Sequence, residues 1–147
     1  MSTKFVFLIL PNVYLLNLYR QFSNQSSNLM STLFYLNMRF TNKESIVYVA
    51  ILDGEIVGFT QIHPSFSSVN LKKIHILNDL YVDENYRNKD IATHLIKHVE
   101  SLAIQNSIAY LTIETYKANQ AKALYLKNGW DLDKDYLHFN KNIQTTT

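Results

Sequence analysis

Arg87 and Lys89 stand just ahead of a stretch in which Ile91, Ala92, Leu95, Ile96, Val99, Leu102 and Ala103 recur at three- and four-residue spacings. That spacing predicts an amphipathic helix starting near Ile91. The apolar run before it ends in Leu80-Tyr81-Val82 and predicts a strand feeding into the helix. A helix N-terminus presents unpaired backbone N–H groups and a partial positive charge, which suits a phosphate or pyrophosphate. Two cations at its mouth strengthen that chemistry, although two basic residues at a helix start are also an ordinary surface feature. Asp90 brings a negative charge to the same place. At ~4 Å a like-charge pair costs about 1–4 kcal/mol, depending on solvent exposure. Its other possible role is to cap or charge the helix start, worth about 1 kcal/mol.

Other residues capable of chemistry are scattered. His94 and His98 share one face of the expected helix, a spacing that can chelate a metal. They lie off the apolar stripe, beside Lys97 and without an acidic ligand at a supporting position, so they read as a solvated face and no metal is expected. His63, His75, Asp79 and Glu114 are the remaining side chains able to take a proton. The chain has no cysteine, which excludes disulfides, thiol nucleophiles and zinc–thiolate sites.

The elements that must hold these residues follow from periodicity. A buried strand is expected over residues 4–10, then a helix opened by Pro11 and carrying Leu15, Leu16, Leu18, Tyr19 and Phe22 on one face. A loop follows over residues 23–28, then a second helix through Leu29, Leu33, Phe34, Leu36 and Phe40. Strands are expected over 46–52 and 56–62, joined by Asp53-Gly54, the signature of a type I′ hairpin. Pro64-Ser65-Phe66-Ser67-Ser68 reads as a loop. A long strand over 71–82, with room for a bulge, leads to the helix at Ile91. A strand over 109–115, a short helix over 120–127 stopped by Asn128-Gly129, and one or two strands over 130–143 complete the chain. This order implies a central mixed sheet covered by helices, with a parallel crossover between residues 71 and 115. No linker or repeat interrupts the 147 residues, so one domain is expected. The aromatics of the two early helices, Tyr14, Tyr19, Phe22, Phe34, Tyr35 and Phe40, are mostly expected in the core.

Arg87-x-x-Asp90-x-Ala92 resembles the pyrophosphate loop of the GCN5-related N-acetyltransferases (GNAT), which runs Gln/Arg-x-x-Gly-x-Gly/Ala. Leu80-Tyr81-Val82 is similar to the strand before that loop. Residues 121–130, Ala-Lys-Ala-Leu-Tyr-Leu-Lys-Asn-Gly-Trp, resemble the family's late helix, Ala-x-x-Leu-Tyr-x-x-x-Gly-Phe/Trp. Gly58-Phe59-Thr60-Gln61 and Leu77-Asn78-Asp79-Leu80 resemble a bacterial branch of the family. The resemblance implies an α/β (α+β) acyl-CoA N-acyltransferase fold, with a mixed, mostly antiparallel sheet flanked by helices. It implies acetyl-CoA as co-substrate, held by Leu80, Tyr81, Val82, Arg87, Asn88, Lys89, Asp90, Ile91 and Ala92, with Asn119 and Lys127 nearby. It implies direct attack by an amine on the thioester, with Tyr125 as general acid. A free amine is protonated at pH 7 in all but about one molecule in 10³–10⁴, so its proton needs a path. Some relatives place a Glu where this chain has Asn78, which can hold a water but not act as a base.

The sequence departs from the pattern at Asp90, where the family usually has Gly, and at Ala118, where it usually has Asn. These departures keep open a non-catalytic acyl-CoA-binding or interaction module on the same fold. A net charge of +2 disfavours nucleic acid, and with it an acyltransferase acting on aminoacyl-tRNA. The apolar run 5–10 is too short for a signal peptide and no window is long enough for a membrane span. A cytoplasmic enzyme acting on a small-molecule or peptide amine is expected. The resemblance also suggests a homodimer, with residues 136–143 available at its interface.

Overall fold

The structure, a computed structural model, describes residues 2–5 and 9–143, with side chains from residue 13 onward. Packing divides the chain into two compact units, residues 1–114 and 115–147. The first carries β1 (Ser2–Phe5), α1 (Ile9–Phe22), α2 (Leu29–Thr41), β2 (Ile46–Leu52), β3 (Glu55–Ser67), β4 (Lys72–Val82), α3 (Ile91–Gln105) and β5 (Leu111–Thr112). The second carries α4 (Ala121–Lys127).

The strands lie side by side in chain order. All neighbours are antiparallel except β4 and β5, which are parallel. This is the mixed, mostly antiparallel sheet that the sequence implied. Alternation along each strand sends side chains to two faces. Val47, Val49, Phe59 and Tyr81 pack with Val13, Leu15, Leu16 and Leu36, so α1 and α2 cover one face. Ala50 and Val57 pack with Ile91 and Leu95, so α3 covers the other. Each fully buried side chain of this size contributes about 1.5–3 kcal/mol. Asn17 ties α1 to α2 by donating to Ser27 Oγ at 3.0 Å and accepting from the Asn28 N–H at 2.8 Å.

The hairpin expected at Asp53-Gly54 is present. Leu52 pairs with Glu55, and both turn residues have positive φ, as a type I′ turn requires. Elsewhere the structure corrects the sequence reading. Ile9 and Leu10 are helical rather than part of a strand, and Pro11 sits in the first turn, where its missing N–H costs nothing; residues 6–8 lie outside the described residues. Residues 64–67 are not a loop but the end of β3, paired with residues 72–75. Pro64 is tolerated because β2 stops pairing at Ile46–Ile62, leaving that side of β3 free. The strand expected over 109–115 narrows to β5.

Residues 130–143 form no strand. A strand needs a partner for its N–H and C=O groups, and among the described residues none pairs with this segment. Its Tyr136, Leu137, Phe139 and Ile143 are exposed. Tyr14, Phe22, Phe34 and Tyr35 also stand exposed rather than in the core, while Tyr19 and Phe40 pack against it. Among the described residues no helix is long and apolar enough to cross a membrane.

Candidate active site

The end of β4 and the start of α3 meet as the sequence required. β3 pairs along one side of β4 up to Val82, but on the other side β5 reaches only His75 and Ile76. Among the described residues, the edge of Leu80, Tyr81 and Val82 away from β3 therefore carries no strand. Such an edge offers backbone donors and acceptors to an extended, amide-bearing chain. Gly58, paired with Val82, makes this junction possible. A Cβ there would meet the Tyr81 carbonyl oxygen at 2.9 Å, the Val82 side chain at 3.3 Å and the Ile91 side chain at 3.5 Å.

Beyond the strand a single 3-10 turn, Glu84–Tyr86, is started by Asp83, whose carboxylate accepts from the Asn85 N–H at 2.9 Å. Arg87 then folds back. Its Nε donates to the Val82 carbonyl at 3.1 Å, and its guanidinium lies 5.4 Å from the Phe22 ring centroid and 5.7 Å from that of Tyr81. Lys89 lies over Tyr86 at 5.2 Å. Lys89 thus stays beside the turn that leads into α3, whose first N–H groups have no intrahelical acceptor, while the Arg87 guanidinium packs on aromatic rings of α1 and β4.

Asn88 and Asp90 have φ of 60° and 56°, in the left-handed region. Asp90 makes no side-chain capping bond, contrary to its capping reading. A capping side chain reaches the next N–H groups from an extended backbone, and the left-handed one turns it away. The same φ explains why glycine suits this position. The Asp90 carbonyl instead accepts from the backbone N–H of His94 at 3.0 Å and from its ring Nδ1 at 2.8 Å. His98 sets its ring edge-on to Tyr48, centroids 5.1 Å apart. Both histidines are thus engaged within the fold, and among the described residues no group of three or more His, Asp or Glu could hold a metal.

The centre of β4 holds a second cluster. Gln61 pairs with Asp79 but Ile62 pairs with Leu77, so Asn78 is an extra residue, a β-bulge. In an ideal strand Asp79 would lie on the side opposite Asn78. The bulge changes this: the exposed Asn78 donates Nδ2 to Asp79 Oδ2 at 3.0 Å. Asp79 itself is buried on the α1/α2 face, where burial raises its carboxyl above the usual range against hydrogen bonds from Asn78 and Tyr19 and the nearby His63. Tyr35 is raised by burial and by the Asp79 charge. His63 Nδ1 donates to the Glu44 carbonyl at 3.2 Å. His75 is half-buried, which lowers its pKa.

In the second unit, Tyr125 is buried, with its ring 5.4 Å from Trp130. Lys127 lies in the last turn of α4, where its charge suits the helix dipole. Asn128 ends the helix and Gly129 follows at φ 83°, as the sequence implied. Asn119 uses its amide locally: Nδ2 donates to Thr115 Oγ1 and Oδ1 accepts from the Ala121 N–H, both at 3.0 Å. It therefore shapes the entry to α4.

Sequence reasoning did not single out Gln61, Tyr19 or Tyr35 as site residues. The available signal was Gln61 and Asp79 in otherwise apolar strands, but assigning them one face required the bulge.

The family model described as acetyltransferase (GNAT) family matches residues 12–130. The uncharacterized N-acetyltransferase YhfO of Bacillus subtilis (strain 168) is 39% identical over 130 residues, covering 88% of this chain and 87% of the relative. A probable acetyltransferase of Haemophilus influenzae is 28% identical over 120 residues, covering 73% of this chain and 82% of its own. A crystal structure of a probable acetyltransferase superposes with a TM-score of 0.89 at 31% identity, covering 99% of both chains.

Proposed function

The chain belongs to the acetyltransferase (GNAT) family and catalyses acetyl transfer, and we propose that it moves the acetyl group of acetyl-CoA directly to a primary amine of a small molecule or peptide. On this reading residues 1–147 act as one acyltransferase domain. The observation that carries it is the strand-free edge of Leu80, Tyr81 and Val82 leading toward the N-terminus of α3, with Arg87 and Lys89 on the segment that joins them. The edge fits the amides of the pantetheine arm. The helix start, with Asn88, Ile91 and Ala92, fits the pyrophosphate.

When bound, acetyl-CoA supplies the thioester whose acyl carbon the amine attacks. The chain's own work is to orient the partners and to manage two protons. Tyr125 gives a proton to the departing thiolate. Asn78, exposed at the bulge, holds a water on the path of the amine's proton. Lys127 and Asn119 assist binding of the co-substrate, Asn119 through the turn it organises. A cytoplasmic setting, soluble amine acceptors and a homodimer accompany this reading.

Calorimetric titration with acetyl-CoA tests it, followed by measurement of thiol release across primary amines. Micromolar binding and turnover are expected. A folded protein that does not bind overturns the reading, and binding without turnover on any amine points to a non-catalytic module. Asp90→Gly should tighten acetyl-CoA binding by about three- to tenfold, since it removes a negative charge next to the start of α3. The same change should stabilise the fold by about 1 kcal/mol, because glycine adopts this left-handed backbone without strain. Calorimetry and thermal unfolding read the two effects separately.

A further inference from the structure

The centre of β4 holds a buried carboxylate without an ion pair. Asp79 is 8% exposed, and among the described residues it has no ion-pair partner. Arg39 is already paired with Glu44 at 2.7 Å. Asn78 and Tyr19 give Asp79 hydrogen bonds but no charge. An ionised carboxylate buried this way is costly unless a cation joins it.

Directly across the ladder stands Gln61, fully buried. Its Nε2 donates to Ser45 Oγ at 2.9 Å, while its Oε1 has no donor. Buried acceptors without a donor are uncommon and call for an explanation. Directly opposed residues send their side chains to the same face, with Cβ atoms about 4.5–5.5 Å apart. Two acceptors thus occupy neighbouring positions, a carboxylate without an ion pair and an amide oxygen without a donor. A primary ammonium brings three N–H donors and the missing charge.

We propose that Asp79 and Gln61 seat the ammonium group of the acceptor, so that the enzyme selects acceptors that arrive as cations. The inference rests on the reading that the acceptor is an amine, and it names the residues that recognise it. The bulge gives the seat its approach, since Asn78 is exposed beside buried Asp79. The groups facing Asp79 are Tyr19 on α1, Tyr35 on α2, Asn78 beside it and His63 on β3; Arg39 and Glu44, paired with each other, act on Tyr35. Burial raises the Asp79 carboxyl above its unfolded value. Its contribution to stability is therefore complete below the unfolded value and is lost as pH rises through the folded one. Ammonium binding runs the opposite way, growing as Asp79 ionises.

The test is titration of the full chain, without acetyl-CoA, with benzylamine and with benzyl alcohol, its uncharged counterpart. Benzylamine should bind about tenfold more tightly above the titration of Asp79. Asp79→Asn should abolish that preference while raising Tm at pH 7, an outcome that a purely structural aspartate would not give. Gln61→Met should cut the preference about threefold, and it carries the test should Asp79→Asn fail to fold. Equal binding of amine and alcohol, no binding of benzylamine, or a preference surviving in Asp79→Asn would overturn the proposal. Because acetyl-CoA is left out, a negative result here is distinct from failure of the co-substrate reading.

Discussion

Tyr125→Phe should lower turnover by about 10²-fold or more while leaving acetyl-CoA affinity within about twofold. The change removes one hydroxyl and keeps the ring, so contact with Trp130 at 5.4 Å and the burial of the side chain persist. An amine attacking a thioester expels a thiolate, and the bond breaks more readily when a proton is at hand. If Tyr125 supplies it, the loss appears in kcat far more than in KM, because the hydroxyl acts on the leaving group as it departs. Pre-steady-state thiol release and calorimetry on the same preparation would separate the two. Unchanged kcat would assign Tyr125 to packing and leave the thiolate to depart unassisted or to take its proton from water.

Gly58→Ala should cost about 2–3 kcal/mol in folding free energy, the upper range for overpacking. The added carbon would lie 2.9 Å from the Tyr81 carbonyl oxygen, which is backbone and cannot rotate away as a side chain would. Relief requires β3 and β4 to move apart or α3 to lift from the sheet, since Val82 and Ile91 are also in reach. Either motion displaces the strand edge and the helix start together. The variant should therefore also weaken acetyl-CoA binding, although Gly58 is not among the proposed ligand contacts. Denaturant unfolding measures the first effect, with an unchanged m-value expected. A stability within about 0.5 kcal/mol of the parent would mean that the two strands accommodate the carbon by a shift too small to matter.

Much of the architecture is legible in the sequence because it rests on local rules. The bounds of β2, the hairpin at Asp53-Gly54, the stripe of α3 and the Asn128-Gly129 stop each follow from spacing or from a residue's backbone preference. The residues proposed for the phosphates sit within one stretch from Leu80 to Ala92, so the sequence alone could group them. What failed depended on partners far away in the chain. Pro64 looks like a strand breaker, and only the end of β2 shows that no N–H is needed at its position. Residues 130–143 have the composition of a strand, yet composition cannot supply an edge to pair with. The Asp79 cluster was hidden by one inserted residue, because alternation counted along the chain gives the wrong face once a bulge intervenes.

That inserted residue has a consequence for how the protein can be dissected. Gln61 and Ile62 are consecutive in β3 and face opposite sides, and their partners Asp79 and Leu77 do the same with Asn78 between them. Taking Asn78 out of the count leaves every other β3–β4 pairing in phase. These two strands thus specify their two faces without this residue, and β4 carries one backbone unit more than its pairing with β3 uses. Substituting Asn78 changes a side chain but preserves that surplus unit, so scanning by substitution cannot reveal what the unit does. Only altering the length of the chain at this point separates the contribution of its backbone from that of its amide side chain.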